Sequence, residues 1–370
     1  MSDLDVAAVL EDVVARQEIT HAIARLQRGI DRADRALMSS AFHGDAELDY
    51  GFFVGSATEF CDIMTGSSER AHHEVTMHRP ANVWIRVEGD RAVSESYIVA
   101  YSPGANGDGP LQSLIGGRYL DRHERRDGVW RLVHRTYVLD WNINQAGTGS
   151  ALTDFGAGLI RGARLEGDPG TRLLTSWAIA DRPPITGGET VEISQELAAQ
   201  AGIAFARNEI LDLIVAESRA VDRADEALQR SLWHPGATVD LGVFFEGSAD
   251  EFRGWILDAV RSAVRMWHSV SNQWIQVDGA QAVAESYVIA LDTRSGDDGE
   301  VDTLSGGRYL DRFEEIGGAW KFTHRTFVHD WQIEQPSTDQ RDDPEGMYAA
   351  LRTRGGHFPD DPVYAFWNRA

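Results

Sequence analysis

The sequence predicts an α+β protein built as two tandem copies of one cone-shaped domain, each a strongly curved, mostly antiparallel sheet wrapped around helices. Three observations predict it. A collinear repeat recurs at a spacing of about 190 residues. An amphipathic helix heads each copy, and long strand runs joined by glycine turns follow.

The repeat sets the frame. Asp31-Arg32-Ala33-Asp34 returns as Asp222-Arg223-Ala224-Asp225, and Gly116 to Arg122 returns as Gly306 to Arg312. His134-Arg135-Thr136 matches His324-Arg325-Thr326, and Asp140-Trp141 matches Asp330-Trp331. The tails repeat loosely, Arg164 to Pro169 against Arg354 to Pro362. Pro183-Pro184 and Gly187-Gly188 mark a linker, which predicts copy one over residues 1–182, a linker and start over 183–200, and copy two over 201–370.

Within a copy, Ile19, Ile23, Leu26 and Ile30 form a helical stripe, and Ile203, Ile210, Ile214 and Val221 form its counterpart. Asp31 and Asp222 fall near the ends of these helices on a largely apolar face, which predicts at least partial burial. Strands follow at Ala46–Tyr50 and Thr238–Leu241. Ser56-x-x-Glu59 and Ser248-x-x-Glu251 then read as capping boxes opening a second helix. Gly89-Asp90, Asp127-Gly128, Asp278-Gly279 and Gly317-Gly318 punctuate three or four long strands as hairpin turns. Gly116-Gly117 and Gly306-Gly307 precede no helix start, so they predict strand bulges rather than phosphate loops.

Composition narrows the function. A net charge of -23 repels phosphate backbones and anionic membranes, so neither nucleic acid nor membrane is an expected partner. No run of about 20 apolar residues is present, and the acidic Met1-Ser2-Asp3-Leu4-Asp5 predicts no signal peptide. Cys61 is the single cysteine, which excludes an intrachain disulfide and fits a reducing cytoplasm.

The combined pattern resembles the SnoaL-like branch of the nuclear transport factor 2-like superfamily. It consists of Asp-Arg-x-Asp on the first helix, a His four residues before an Asn, Gly-Arg-Tyr-Leu-Asp-Arg, and Trp-x-x-x-His-Arg before Asp-Trp. It covers most of residues 13–145 and 203–335. In the dehydratase-type members an Asp on the first helix pairs with a His on the first long strand. The resemblance implies the pairs Asp31 with His78 and Asp222 with His268. It implies an anion-stabilising Arg at Arg135 and Arg325, and a pocket Tyr at Tyr50, where copy two has Leu241. A Tyr that some members carry on the first helix is replaced by Leu26 and Glu217. Related domains associate as dimers or trimers, which implies an intrachain pseudo-dimer and leaves room for a further homo-oligomer.

These residue types suit proton abstraction followed by β-elimination. A neutral imidazole is the usual base near neutrality, a buried carboxylate orients it, and an Arg steadies developing negative charge. The expected activity is that of a cofactor-independent lyase on a hydrophobic, ring-containing small molecule, losing water, halide or formaldehyde. An isomerase or cyclase and a non-catalytic binding module are the alternatives. Trp84, Tyr101, Trp141, Trp274 and Trp331 are the expected pocket walls. Structural roles compete at each site: Asp31 and Asp222 as caps, His78 and His268 as satisfied core histidines, and Arg135 and Arg325 as partners of Glu95 and Glu285. His72, His73 and His78 lack a matching cluster in copy two, so no metal is expected.

Overall fold

The structure, a computed structural model, describes residues 6–66, 76–106, 109–146, 163–176 and 195–368. Copy one runs α1 (Val6–Arg32), α2 (Arg35–Ser40), β1 (Phe42–Asp49), β2 (Val54–Ser56), α3 (Ala57–Gly66), β3 (Met77–Glu88), β4 (Arg91–Asn106), β5 (Gly109–Arg126) and β6 (Val129–Ala146). A short helix, α4 (Pro169–Ser176), follows. Copy two repeats the plan with α5 (Gln195–Asp222), α6 (Glu226–Leu232), β7 (Trp233–Asp240), β8 (Glu246–Ser248), α7 (Ala249–Ser262), β9 (Arg265–Asp278), β10 (Gln281–Gly296), β11 (Gly299–Ile316) and β12 (Ala319–Pro336), and ends on α8 (Pro362–Asn368). The predicted boundary at Arg182 lies outside the described residues, as do His72 and His73.

Each copy carries one open six-stranded sheet, ordered β2-β1-β6-β5-β4-β3 and β8-β7-β12-β11-β10-β9. Among the described strands, β1 with β6 and β7 with β12 pair parallel and the other neighbours antiparallel. The fold is therefore the tandem α+β duplication that the repeat predicts. Ile19, Ile23, Leu26 and Ile30 are all buried, which is why α1 lies in its sheet's concave face. Both capping boxes form, with Ser56 and Ser248 each exchanging hydrogen bonds with a Glu three residues on. The hairpin glycines take the left-handed backbone at Gly89, Gly128, Gly279, Gly317 and Gly318. The first strands begin earlier than expected, at Phe42 and Trp233, and Tyr50 falls just past the end of β1.

Bulges decide which face each side chain takes. On β5 and β6 the pairing steps from Gly116 with Trp141 to Gly117 with Leu139, leaving Asp140 as the extra residue. Asp140 and Trp141 therefore both turn to the outer face, and Trp141 covers Gly116. A Cβ at Gly116 would land on the Trp141 ring, which is fully buried and held edge-on against Trp267 at 5.4 Å. Gly116→Ala is expected to cost about 1–3 kcal/mol of stability. Gly306→Ala should cost less, because the matching Trp331 is 41% exposed and can turn away. Urea midpoints of the two variants check this.

The extension after copy two crosses onto copy one. Asp339 accepts from the backbone and side chain of Asn142, and the Tyr348 hydroxyl donates to Asn144. Beyond Thr136 the flank of β6 is no longer paired with β1, and there the chain bonds Leu139 from Thr353 and Gly355. α8 then lays Val363 and Phe366 against Val93, Leu120 and Val138 on the outer face of sheet one.

Candidate active site

In copy one, Asp31 ends the buried stripe of α1 and faces the start of β3. Its carboxylate accepts from His78 Nδ1 at 2.6 Å, from the His78 backbone N–H at 2.9 Å and from Thr76 Oγ1 at 3.0 Å. Copy two repeats the pair: Asp222 accepts from His268 Nδ1 at 2.6 Å and from its backbone N–H at 3.0 Å. Met266 stands where Thr76 does, so the third donor is missing. A carboxylate on Nδ1 fixes that nitrogen as the donor, so the neutral ring presents Nε2 as its basic atom. Both Asp residues are buried, and the His78 side chain keeps 18% of its surface open.

The arginines do not pair with Glu95 and Glu285, as the structural alternative expected. Arg135 grips Asp121 through Nε and Nη2 at 2.7 and 2.6 Å, and Arg325 grips Asp311 at 2.7 and 2.9 Å. The direct register Asp121↔Arg135 and Asp311↔Arg325 sets these pairs. The sequence carried the signal, because both motifs repeat with opposite charges, yet the acids were not singled out. Glu95 instead binds Arg118 and Arg219 on the outer face.

Around the arginines the copies diverge. In copy one Arg135 lies 3.8 Å over the Tyr119 ring, and Tyr50 and Tyr137 join Leu26 in the same buried cluster. Arg135 Nη1 and the Tyr50 hydroxyl are buried with no hydrogen-bond partner in the protein. The Arg135 guanidinium acts on the Tyr50 hydroxyl both by its charge and as a loose hydrogen-bond partner, short of full hydrogen-bond geometry. Burial pushes the Tyr50 hydroxyl up despite Arg135, so it stays protonated. In copy two Leu241 and Phe327 replace Tyr50 and Tyr137, and Glu217 replaces Leu26. Glu217 takes the remaining Arg325 nitrogen at 2.7 Å.

Glu217 also acts on the base. Burial disfavours the charged His268 ring, but Asp222 and then Glu217 outweigh it and raise its pKa. Burial likewise raises the pKa of Glu217. A raised histidine pKa adds stability that is complete below the unfolded value and fades as pH climbs through the folded one. His268→Gln should therefore destabilise more at about pH 6 than at about pH 9. Urea titrations at both pH values test the sign.

The predicted pocket walls lie elsewhere. Asn82 and Asn272, both at positive φ, mark bulges in β3 and β9 that turn Trp84 and Trp274 outward. Trp84 packs on Trp367, and Trp274 is 69% exposed. Trp141 joins Tyr97 and Trp267 in the seam between copies, and Trp331 stays on the outer face. Tyr101 has outer parity and lines a groove of about 270 Å³ between the copies. Leu26, Tyr50, Tyr119 and Tyr137 pack together in the core of copy one. Tyr348 and Leu351 of the C-terminal extension pack on that cluster, and a Cβ at Gly51 would strike Ala350 and Arg352. No sequence pattern pointed to that contact.

The profile of the SnoaL-like domain matches residues 11–136 and 204–326, together more than half of the chain. The chain belongs to the SnoaL-like family. Both SnoaL-like segments span the first helix through the Arg135 or Arg325 strand. Similar solved structures include a putative scytalone dehydratase from Novosphingobium aromaticivorans, 20% identical over 35% of this chain and 86% of its own, with a TM-score of 0.32. Hexachlorocyclohexane dehydrochlorinase LinA-type3 from Novosphingobium barchaimii is 18% identical over 35% and 90%, with a TM-score of 0.32. An NTF2-like protein with a cystatin-like fold from Novosphingobium aromaticivorans is 24% identical over 41% and 94%, with a TM-score of 0.33. A comparison with curated proteins finds no match. Among the described residues no helix is long and apolar enough to cross a membrane.

Proposed function

We propose that the chain is a cofactor-independent lyase, that it eliminates a small group from a hydrophobic ring-containing molecule, and that copy one carries the reaction. The observation behind this reading is the Asp31–His78 contact of 2.6 Å, in a copy that also buries Arg135 Nη1 and the Tyr50 hydroxyl without a hydrogen bond of good geometry. A guanidinium donor and a hydroxyl close together suit an oxygen or halide of a substrate.

In the proposed step His78 Nε2 removes a proton from a carbon next to the one bearing the leaving group. The C–H electron pair becomes the new double bond, and the leaving group departs with its bonding pair. Asp31 balances the imidazolium. Arg135 and Tyr50 hydrogen-bond the departing atom, and the imidazolium proton can return to a departing hydroxide, releasing water. In copy two Arg325 is already saturated by Asp311 and Glu217, and Asp222 and Glu217 favour the protonated His268 ring, which leaves less of it as free base.

The test is a mass-resolved screen of alicyclic and aromatic alcohols and halides with the full chain, run beside His78→Ala. A product lighter by water or hydrogen halide, absent with the variant, supports the reading. A product of unchanged mass would instead mark an isomerase.

A further inference from the structure

The groove of about 270 Å³ between the copies is lined by the repeat twice over. Leu114 and Leu304 hold matching positions in it, as do Ile143 and Ile333, and Gln145 and Gln335. The two glutamines join the copies, with Gln145 Nε2 donating to Gln335 Oε1 at 2.9 Å. A fourth matched pair breaks the identity. Where copy one has the neutral Gln112, copy two has Asp302.

Asp302 is not an ordinary surface charge. It is 2% exposed, whereas Gln112 is only partly buried. Cross-strand register sets it beside Thr293, whose hydroxyl donates to Oδ1 at 2.7 Å. Copy one has Pro103 at that place, with no hydroxyl to give. The bond fixes the carboxyl group and leaves Oδ2 with no hydrogen-bond partner in the protein. Arg265, across from Thr293 on β9, is taken by Glu300 and Asp339. Burial of an acid without a counter-charge is costly, and buried polar atoms are almost always paired. Copy two therefore keeps, in the wall of an apolar groove, a positioned acceptor that the protein itself does not use.

We propose that this groove binds a small organic cation, a protonated amine on a compact apolar body, with its ammonium on Asp302. An ammonium carries three donors and no acceptor. One meets Asp302 Oδ2, and the glutamine amides around the groove accept the others. Leu114, Ile143, Leu304 and Ile333 cover the apolar body. The volume falls just short of the roughly 300–1,000 Å³ of pockets for drug-sized ligands, which limits that body to about one ring. A metal fits less well, because one carboxylate among amides offers too few hard ligands. Among the described residues no group of three His, Cys, Asp or Glu side chains is placed to hold one. The groove shares no residue with the Asp31–His78 site, so its test does not depend on the proposed lyase reaction.

Calorimetric titration of the full chain with benzylammonium tests it, with benzyl alcohol as the neutral isostere and benzoate as the anion. Benzylammonium should bind with a Kd of about a millimolar or tighter. Benzyl alcohol and benzoate should bind at least about tenfold more weakly. Asp302→Asn should weaken benzylammonium at least about tenfold and leave benzyl alcohol unchanged. Because Oδ2 has no partner to lose, this variant should melt no lower than the wild type in the absence of amine. Ile333→Trp, at a position 52% exposed, should fill the groove and abolish binding in a folded chain. His78→Ala should bind benzylammonium as the wild type does, which separates the groove from the copy-one site. No binding, or equal affinity for the ammonium and the alcohol, overturns the proposal. Affinity that survives Asp302→Asn would reduce the effect to general attraction by the net charge of -23 and overturns it too. Binding that persists in Ile333→Trp, or is lost in His78→Ala, places the amine elsewhere and overturns it equally.

Discussion

His78→Ala is expected to lower kcat by about 10²–10⁴-fold, the usual contribution of a positioned general base. His268→Ala should leave turnover within a few-fold of wild type. The asymmetry follows from one residue pair. Leu26 leaves Arg135 with a spare donor, and Glu217 consumes the matching donor of Arg325. Asp31→Asn should lose nearly as much as His78→Ala, because an amide neither balances an imidazolium nor fixes the ring tautomer. Its KM should change little if Asp31 never touches substrate. Steady-state kinetics of the three variants decide the matter. Equal losses from His78→Ala and His268→Ala would return the reaction to both halves.

Arg118→Met should produce the largest loss of stability, about 3–5 kcal/mol, because it strands buried carboxylates. Arg118 is fully buried and contacts Glu95 at 3.1 Å, Asp140 at 2.9 Å and Asp361 at 2.7 Å. Arg219 on α5 and Arg223 just past its end face the same acids at 3.4 to 3.6 Å, so three cations meet three anions where the copies and the extension join. Asp361 is held far below the usual carboxylate range by Arg118 and Arg223, in spite of its burial. Its loss of partner should also loosen α8 from sheet one, and faster proteolysis near Asp361 would report that. Arg126→Met is the comparison: its ion pairs with Asp45 and Glu124 are open to water, so its urea midpoint should stay at the wild-type value.

The parts of the site legible in the sequence are those fixed by local pattern. Asp31 and Asp222 end an apolar helical stripe, and His78 and His268 open the first long strand, but it was the family resemblance that paired them, and the 2.6 Å contacts agree with it. The acids Asp121 and Asp311 were visible as repeated letters, but their roles needed the register that sets them against Arg135 and Arg325. Glu217 was visible as a departure from the resemblance. Its consequence, the neutralised Arg325, required knowing that α5 brings it there.

The tryptophans went astray for a geometric reason. Strict alternation from His78 puts Trp84 inside, and from Arg135 it puts Trp141 inside. A single extra residue at Asn82 or Asp140 reverses that parity, and the same holds at Asn272 and before Trp331.

By itself, the sequence determined the duplication, the α+β plan and the capped helices, because helical and strand periodicities and turn residues act within a few positions; the two Asp–His pairs were implied by the resemblance. The tertiary structure alone decided which face each tryptophan takes, which arginine keeps a spare donor, and where the copies and the extension join. Those outcomes depend on bulges, on cross-strand register and on contacts between residues far apart in sequence, such as Arg118 and Asp361, 243 positions apart. No local pattern encodes such distances.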